Sequence, residues 1–128
     1  MSNSIIVGSD FLPKDIEKVQ KTISSFAKKN NIHLIATGTN NKKFTTVEIE
    51  SYFYANHNDL CLFDTVSQRP KQKLFSFPKS NTTVMFERLS RYDGPKHLLV
   101  IHNGNIKPFK RCIRLAKLNS YTIEIKEI

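Results

Sequence analysis

No apolar run in this sequence reaches the roughly 18 residues that a membrane-spanning helix needs, so no segment reads as transmembrane. The opening Met-Ser-Asn-Ser-Ile-Ile-Val-Gly has neither a basic leader nor a long apolar core, and a signal peptide is not expected. Cysteine is scarce: Cys61 and Cys112 both fall inside apolar stretches and read as reduced, buried small hydrophobes of a cytosolic protein. Neither they nor the four histidines show a metal-ligand spacing, so no metal and no cofactor is expected. Internal repeats, linkers and low-complexity tracts are also missing. Length and a 39% hydrophobic content suit one globular domain over residues 1–128 rather than a disordered chain.

The second half of the chain is short of acid. Residues 1–64 carry seven charges of each sign, whereas residues 65–128 carry thirteen basic and four acidic side chains, and the whole surplus of +9 lies there. Two runs dominate it: Arg69, Lys71, Lys73 and Lys79, then Lys107, Lys110, Arg111, Arg114 and Lys117. A surface so lopsided points to a phosphate-bearing or polyanionic partner.

Strand and helix signals alternate. Ser4–Val7 is a first strand ended by Gly8. Pro13 opens a helix with Ile16, Val19, Ile23, Phe26 and Ala27 as its apolar stripe, ending at Lys28-Lys29-Asn30. Ile32–Ala36 is a second strand. Thr45 or Thr46 caps a second helix containing Val47, Ile49, Phe53 and Tyr54. Leu60–Phe63 is a third strand. A long basic connection over 65–79 leads to a third helix, capped by Ser80 or Asn81 and running to about Tyr92 with Val84, Met85 and Leu89 inward. After the break at Asp93-Gly94-Pro95, His97–Ile101 is the fourth and most apolar strand. Pro108 opens a fourth helix facing inward with Phe109, Cys112, Ile113, Leu115 and Ala116, and Tyr121–Ile125 is the last strand. This order implies right-handed crossovers and an α/β, doubly wound, three-layer domain with a mainly parallel five-stranded sheet.

In such a sheet ligands sit outside the carboxyl ends of the strands, where every strand-to-helix loop emerges. Gly8-Ser9-Asp10, Thr37-Gly38-Thr39-Asn40 and Asn103-Gly104-Asn105 lie on that edge, and both basic runs issue from it. Small residues let backbone N–H groups face an anion, helped by the positive ends of helices. The same loops also read as ordinary small-residue turns with solvated lysines.

The C-terminal third, "HLLVIHNGNIKPFKRCIRLAKLNSYTIEI", together with the opening "IIVGSD" and "LIATGTN" followed by Thr46-Val47-Glu48 and Tyr54-Ala55, resembles the Rossmann-like domains of the SLOG superfamily. Asn81 and Met85 stand where such domains place an Asn/Met pair. The resemblance spans nearly the whole chain. It implies a nucleotide-derived or nucleic-acid ligand at the strand carboxyl edge, and a homodimer. The Pro-Gly-Gly-x-Gly-Thr motif of the phosphoribohydrolase members is missing, which weighs for binding and against hydrolysis.

Individual groups have competing readings. Ser9 hydrogen-bonds a phosphate or fills a turn. Asp10 holds a ribose hydroxyl or caps the following helix. Glu48 contacts a ribose, acts as a general base, or is an exposed carboxylate near a helix N-terminus. His102 ends the fourth strand, suited to acid–base work or simply bonded to nearby backbone; His33, His57 and His97 are assigned no role. Lys107, Lys110 and Arg111 sit in the first turn of the fourth helix, where cations oppose the dipole unless an anion is recruited. Arg69, Lys71, Lys73, Phe75, Phe77 and Lys79 interleave cation and aromatic, fit for phosphate contact and base stacking, or for pinning the loop to the core.

The leading expectation is a non-enzymatic binding module for a nucleotide or nucleic acid. The alternatives are a nucleotide N-glycoside hydrolase using Glu48 or His102, and an inhibitor of an acidic partner protein, such as a phage accessory protein.

Overall fold

The structure, a computed structural model, describes residues 2–38, 43–64 and 81–128. Five strands form one sheet: β1 (Ser2–Gly8), β2 (Ile32–Thr37), β3 (Cys61–Asp64), β4 (Lys96–His102) and β5 (Thr122–Glu127). Their order is β3-β2-β1-β4-β5, and every pairing is parallel. Among the described residues four helices flank it: α1 (Ile16–Lys29), α2 (Thr46–His57), α3 (Asn81–Leu89) and α4 (Lys110–Leu118). Short 3-10 turns at Pro13–Asp15 and Lys107–Phe109 lead into α1 and α4, each built on a proline placed where its missing N–H costs nothing. The chain is therefore a three-layer, doubly wound α/β fold of the Rossmann-like kind.

The strand sequences explain the layering. β1 is buried along its whole length and β4 over all but its first residue, as strands covered on both faces must be. Alternate residues feed two cores. Ile6, Ile35, Leu99 and Ile101 meet Val19, Ile23 and Phe26 of α1 and Val47 and Ala55 of α2. Ile5, Val7, Leu98 and Val100 meet Val84, Met85 and Leu89 of α3, Phe109 of the turn before α4, and Cys112 and Ala116 of α4.

Three helices stop by one device. Asn30, Asn58 and Asn119 each donate a side-chain N–H to the carbonyl four residues back, at 2.9, 2.9 and 2.7 Å. The next residue, Asn31, Asp59 or Ser120, turns into the left-handed region with φ of 52°, 53° and 61°. The chain is thereby aimed straight back into a strand.

The second helix contains Val47, Ile49, Phe53 and Tyr54 as expected. Ile49 and Phe53 of α2 face outward, 40% and 52% exposed, while Val47, Glu48, Ser51 and Ala55 face the sheet. The cap fixes this phase: Thr45 and Glu48 close a capping box that turns Glu48 inward. Small Ser51 and Ala55 then let the helix lie close to the strands. Four other expectations need correction. Cys61 is exposed, because it opens the edge strand β3; Cys112 is buried as expected. Ile113 and Leu115 are only partly buried, flanking the true inner face of α4. The third helix ends at Leu89, short of Tyr92, and β5 runs on to Glu127.

Candidate functional site at the carboxyl edge of the sheet

The strand order reverses between β1 and β4, and the loops that follow these two strands meet there. Ser9 N–H donates to the Ile101 carbonyl at 3.0 Å, and Asn103 N–H donates to Ser9 Oγ at 3.3 Å. Gly8 makes the approach possible: a Cβ at that position would stand 2.4 Å from the Ile101 oxygen and 2.6 Å from the Val47 side chain. No other residue type fits without moving backbone. Thr37, buried at the end of β2, donates its hydroxyl to the Ile6 carbonyl at 2.9 Å and braces the floor.

Among the described residues, several backbone donors at this edge are occupied from within. At the amino end of α2, Thr46 N–H donates to Asp10 Oδ1 at 3.1 Å, Val47 N–H to the Ser9 carbonyl at 3.4 Å, and Glu48 N–H to Thr45 Oγ1 at 3.3 Å. The carboxylate of Glu48 accepts from Gly38 N–H at 2.8 Å and Thr45 N–H at 3.0 Å. Two protein carboxylates thus hold the positive end of α2, where a phosphate would otherwise sit. The β4 loop behaves likewise. His102 Nδ1 accepts from Gly104 N–H at 3.1 Å, Asn103 Oδ1 from Asn105 N–H at 3.3 Å, and Asn105 Oδ1 from Lys107 N–H at 3.2 Å. Gly104 makes this turn at φ 107°.

The structure places several of these groups. Glu48 is fully buried, not an exposed carboxylate. Asp10 caps α2 rather than the helix that follows it. His102 is buried at the end of β4. Its Nδ1 lies 3.9 Å from Glu127 Oε1, but the shorter contact with a permanent N–H donor makes Nδ1 an acceptor and puts the ring proton on Nε2. Beneath the edge, burial, assisted by the nearby Glu48 charge, pushes the Cys112 thiol up to about 12. Burial likewise raises the Tyr121 phenol, with Cys112 adding to the effect.

The cations lie beside this crevice. Lys107, Lys110, Arg111, Arg114 and Lys117 are all exposed, and their spacing puts them on the side of α4 opposite buried Phe109, Cys112 and Ala116. Arg111 reaches across to the first turn of α3, donating from Nη2 to Thr83 Oγ1 at 2.8 Å. No acidic residue occurs between Asp93 and Glu124, so nothing in that stretch neutralises the stripe. The first-turn cations were evident from sequence; Arg114 and Lys117 extend the same face, and extrapolating the helical period from Lys110 finds them. Thr46 was missed as a site residue: its Oγ1 accepts from Phe11 N–H at 2.9 Å and ties the β1 loop to α2. Asn81 opens α3 on the same edge. Thr39, Asn40, Arg69, Lys71, Lys73, Phe75, Phe77 and Lys79 lie outside the described residues. Among the described residues no group of His, Cys, Asp or Glu is arranged to hold a metal ion, and no helix is long and apolar enough to cross a membrane.

Compared with known proteins, the chain matches no protein-family model, no curated protein and no solved structure.

Proposed function

We propose that this protein binds nucleic acid through the exposed face of α4 and the adjoining carboxyl edge of the sheet. One observation carries the reading: among the described residues the amino end of α2 and the turn after β4 are already filled, by Asp10, Glu48, Asn103, Asn105 and His102, while five exposed cations line one helical side with no described acidic partner. A mononucleotide needs an enclosed seat with free donors. A polyanion needs a row of charges, and about 10 residues of helix extend that row over roughly 15 Å, several phosphates long on a duplex carrying one charge per ~1.7 Å. The resemblance to SLOG domains implies a nucleotide-like ligand on this same edge, and we read it here as nucleic-acid binding without hydrolysis. Both carboxylate oxygens of Glu48 are committed to backbone amides, which speaks for a structural role.

The test is fluorescence anisotropy with single-stranded DNA, duplex DNA and RNA over a range of salt. Five phosphate contacts predict a log–log salt slope of about −4.5 on duplex DNA and about −3.5 on single strands. The pair Lys110→Glu and Arg111→Glu should cut affinity more than about tenfold and flatten that slope. Absence of binding to every polymer at low salt, or salt-insensitive capture of nucleoside monophosphates with polymers ignored, would overturn the proposal.

A further inference from the structure

We infer, resting on the nucleic-acid reading above, that the polymer this protein takes is single-stranded and passes from α4 round the edge of β5 into a cationic groove on the opposite face of the sheet. Residues paired across neighbouring parallel strands point to the same face, so register assigns each side chain of β5 to a side. Ile123 and Ile125 lie beside Leu98 and Val100, on the side covered by α4. Thr122, Glu124 and Lys126 lie beside His97, Leu99 and Ile101, on the side covered by α1. Cover is incomplete there: Thr122 and Lys126 are exposed. Between α1 and β5 runs an open groove of about 340 Å³, lined by Lys21, Thr22, Ser25, Lys29, Glu124 and Lys126.

The groove has the chemistry of a phosphate contact. α1 carries Lys18, Lys21, Lys28 and Lys29 against Glu17 alone. Lys21, Ser25 and Lys29 recur every fourth residue along the groove side of the helix, and Lys18 precedes them by one turn. The acids present are already shared among lysines. Glu124 accepts from Lys29 at 2.8 Å and lies 3.9 Å from Lys126, and Glu17 pairs with Lys21 at 3.1 Å. Positive charge is therefore in excess. The Lys21–Glu17 pair is 76% exposed on both side chains, so a phosphate displaces Glu17 at little cost.

The position of the groove selects the polymer. Among the described residues β5 is the last strand of the sheet, so its free edge alone divides the groove from the flank of α4. A duplex keeps its direction over about 150 base pairs. It lies along α4 and cannot turn round one strand to reach Lys21 and Lys126. A single strand has no such stiffness and follows a charged surface across the edge, meeting both sets of cations.

Fluorescence anisotropy on the full chain tests this, with a labelled oligothymidylate of about 20 nucleotides and a duplex of the same length. The single strand should bind at least about fivefold more tightly than the duplex at equal salt. Lys21→Gln with Lys126→Gln should weaken the single strand at least about fivefold, lower its salt slope by about 1.4, and leave duplex affinity within about twofold. Both side chains are exposed, so the thermal midpoint should stay where it is. Lys110→Glu with Arg111→Glu should weaken both polymers. A duplex bound as tightly as the single strand, a variant at Lys21 and Lys126 that loses nothing, or one that loses equally on both polymers would overturn the single-strand route while leaving α4 as the binding face. Failure of every polymer to bind would overturn the nucleic-acid reading itself, and this inference with it.

Discussion

Glu48 holds Gly38: its Oε2 accepts the Gly38 N–H at 2.8 Å, joining the first turn of α2 to the loop that leaves β2. The same carboxylate accepts from Thr45, so one buried side chain closes a helix and fixes a neighbouring strand end. Replacing Glu48 by Gln leaves an amide N–H₂ facing one of two backbone donors. The expected cost is about 1–3 kcal/mol of folding stability, read as a lower urea midpoint with an unchanged m-value. A catalytic or ribose-binding Glu48 predicts the reverse pattern, full stability with lost function.

Asp10 offers a sharper contrast, because its two readings predict opposite signs. It occupies the positive end of α2 through the Thr46 N–H. Asp10→Asn keeps an acceptor there and removes a negative charge beside the proposed binding edge. Stability should fall by less than about 1 kcal/mol, and affinity for single-stranded DNA should rise. An Asp10 that grips a ribose would lose affinity on the same change.

His97 makes stability depend on pH. It is buried against the ring of Phe26, 6.2 Å between centroids, and its Nδ1 has no hydrogen-bond partner. Burial holds its pKa below 6.5; Glu124 partly opposes this and Lys29 adds to it. The native state therefore takes up its proton later than the unfolded chain as pH falls. The resulting stability is complete above the unfolded value and is lost as pH drops through 6.5 toward the native value. Thermal melts from about pH 7.5 to 5 should show a falling Tm, and His97→Phe should flatten that fall. An identical slope in the variant would assign the pH dependence to other groups.

The two thiols should separate by reactivity. Cys61 is exposed on an edge strand, whereas Cys112 is buried and its thiol stands near 12. A disulfide reagent at about pH 8 should label one thiol of the native protein quickly and the second only after denaturation. Cys61→Ser should abolish the fast phase and leave the slow one.

The alternation of β-branched runs with amphipathic stripes made the layers and the parallel sheet readable from sequence, and the positions of Gly8, Ser9 and Asn103 at the crevice followed from topology. The phase of α2 was not readable that way. Its apolar residues occur on both sides, so periodicity has no preferred answer, and the capping box of Thr45 and Glu48 decides which side is buried. A Thr-x-x-Glu spacing was in the sequence and carried that information. The hydrogen bonds that occupy the loops were hidden for a different reason: Asp10 and Thr46 are far apart in sequence and meet only because β1 and α2 are packed together. The paired helix stops at Asn30, Asn58 and Asn119 were also legible, as an Asn followed by a second polar residue just ahead of a strand.

The position of β1 bears on how the chain is made. This strand lies in the middle of the sheet, with β2 on one side and β4 on the other. Its second neighbour does not begin until Lys96. During synthesis, most of the polypeptide must leave the ribosome before β1 is enclosed, and until then an apolar strand presents an open edge of unpaired amides and carbonyls. A chain interrupted before Lys96 is thus exposed to intermolecular strand pairing, whereas one carried through His102 can complete the centre of its sheet with β5 still unmade.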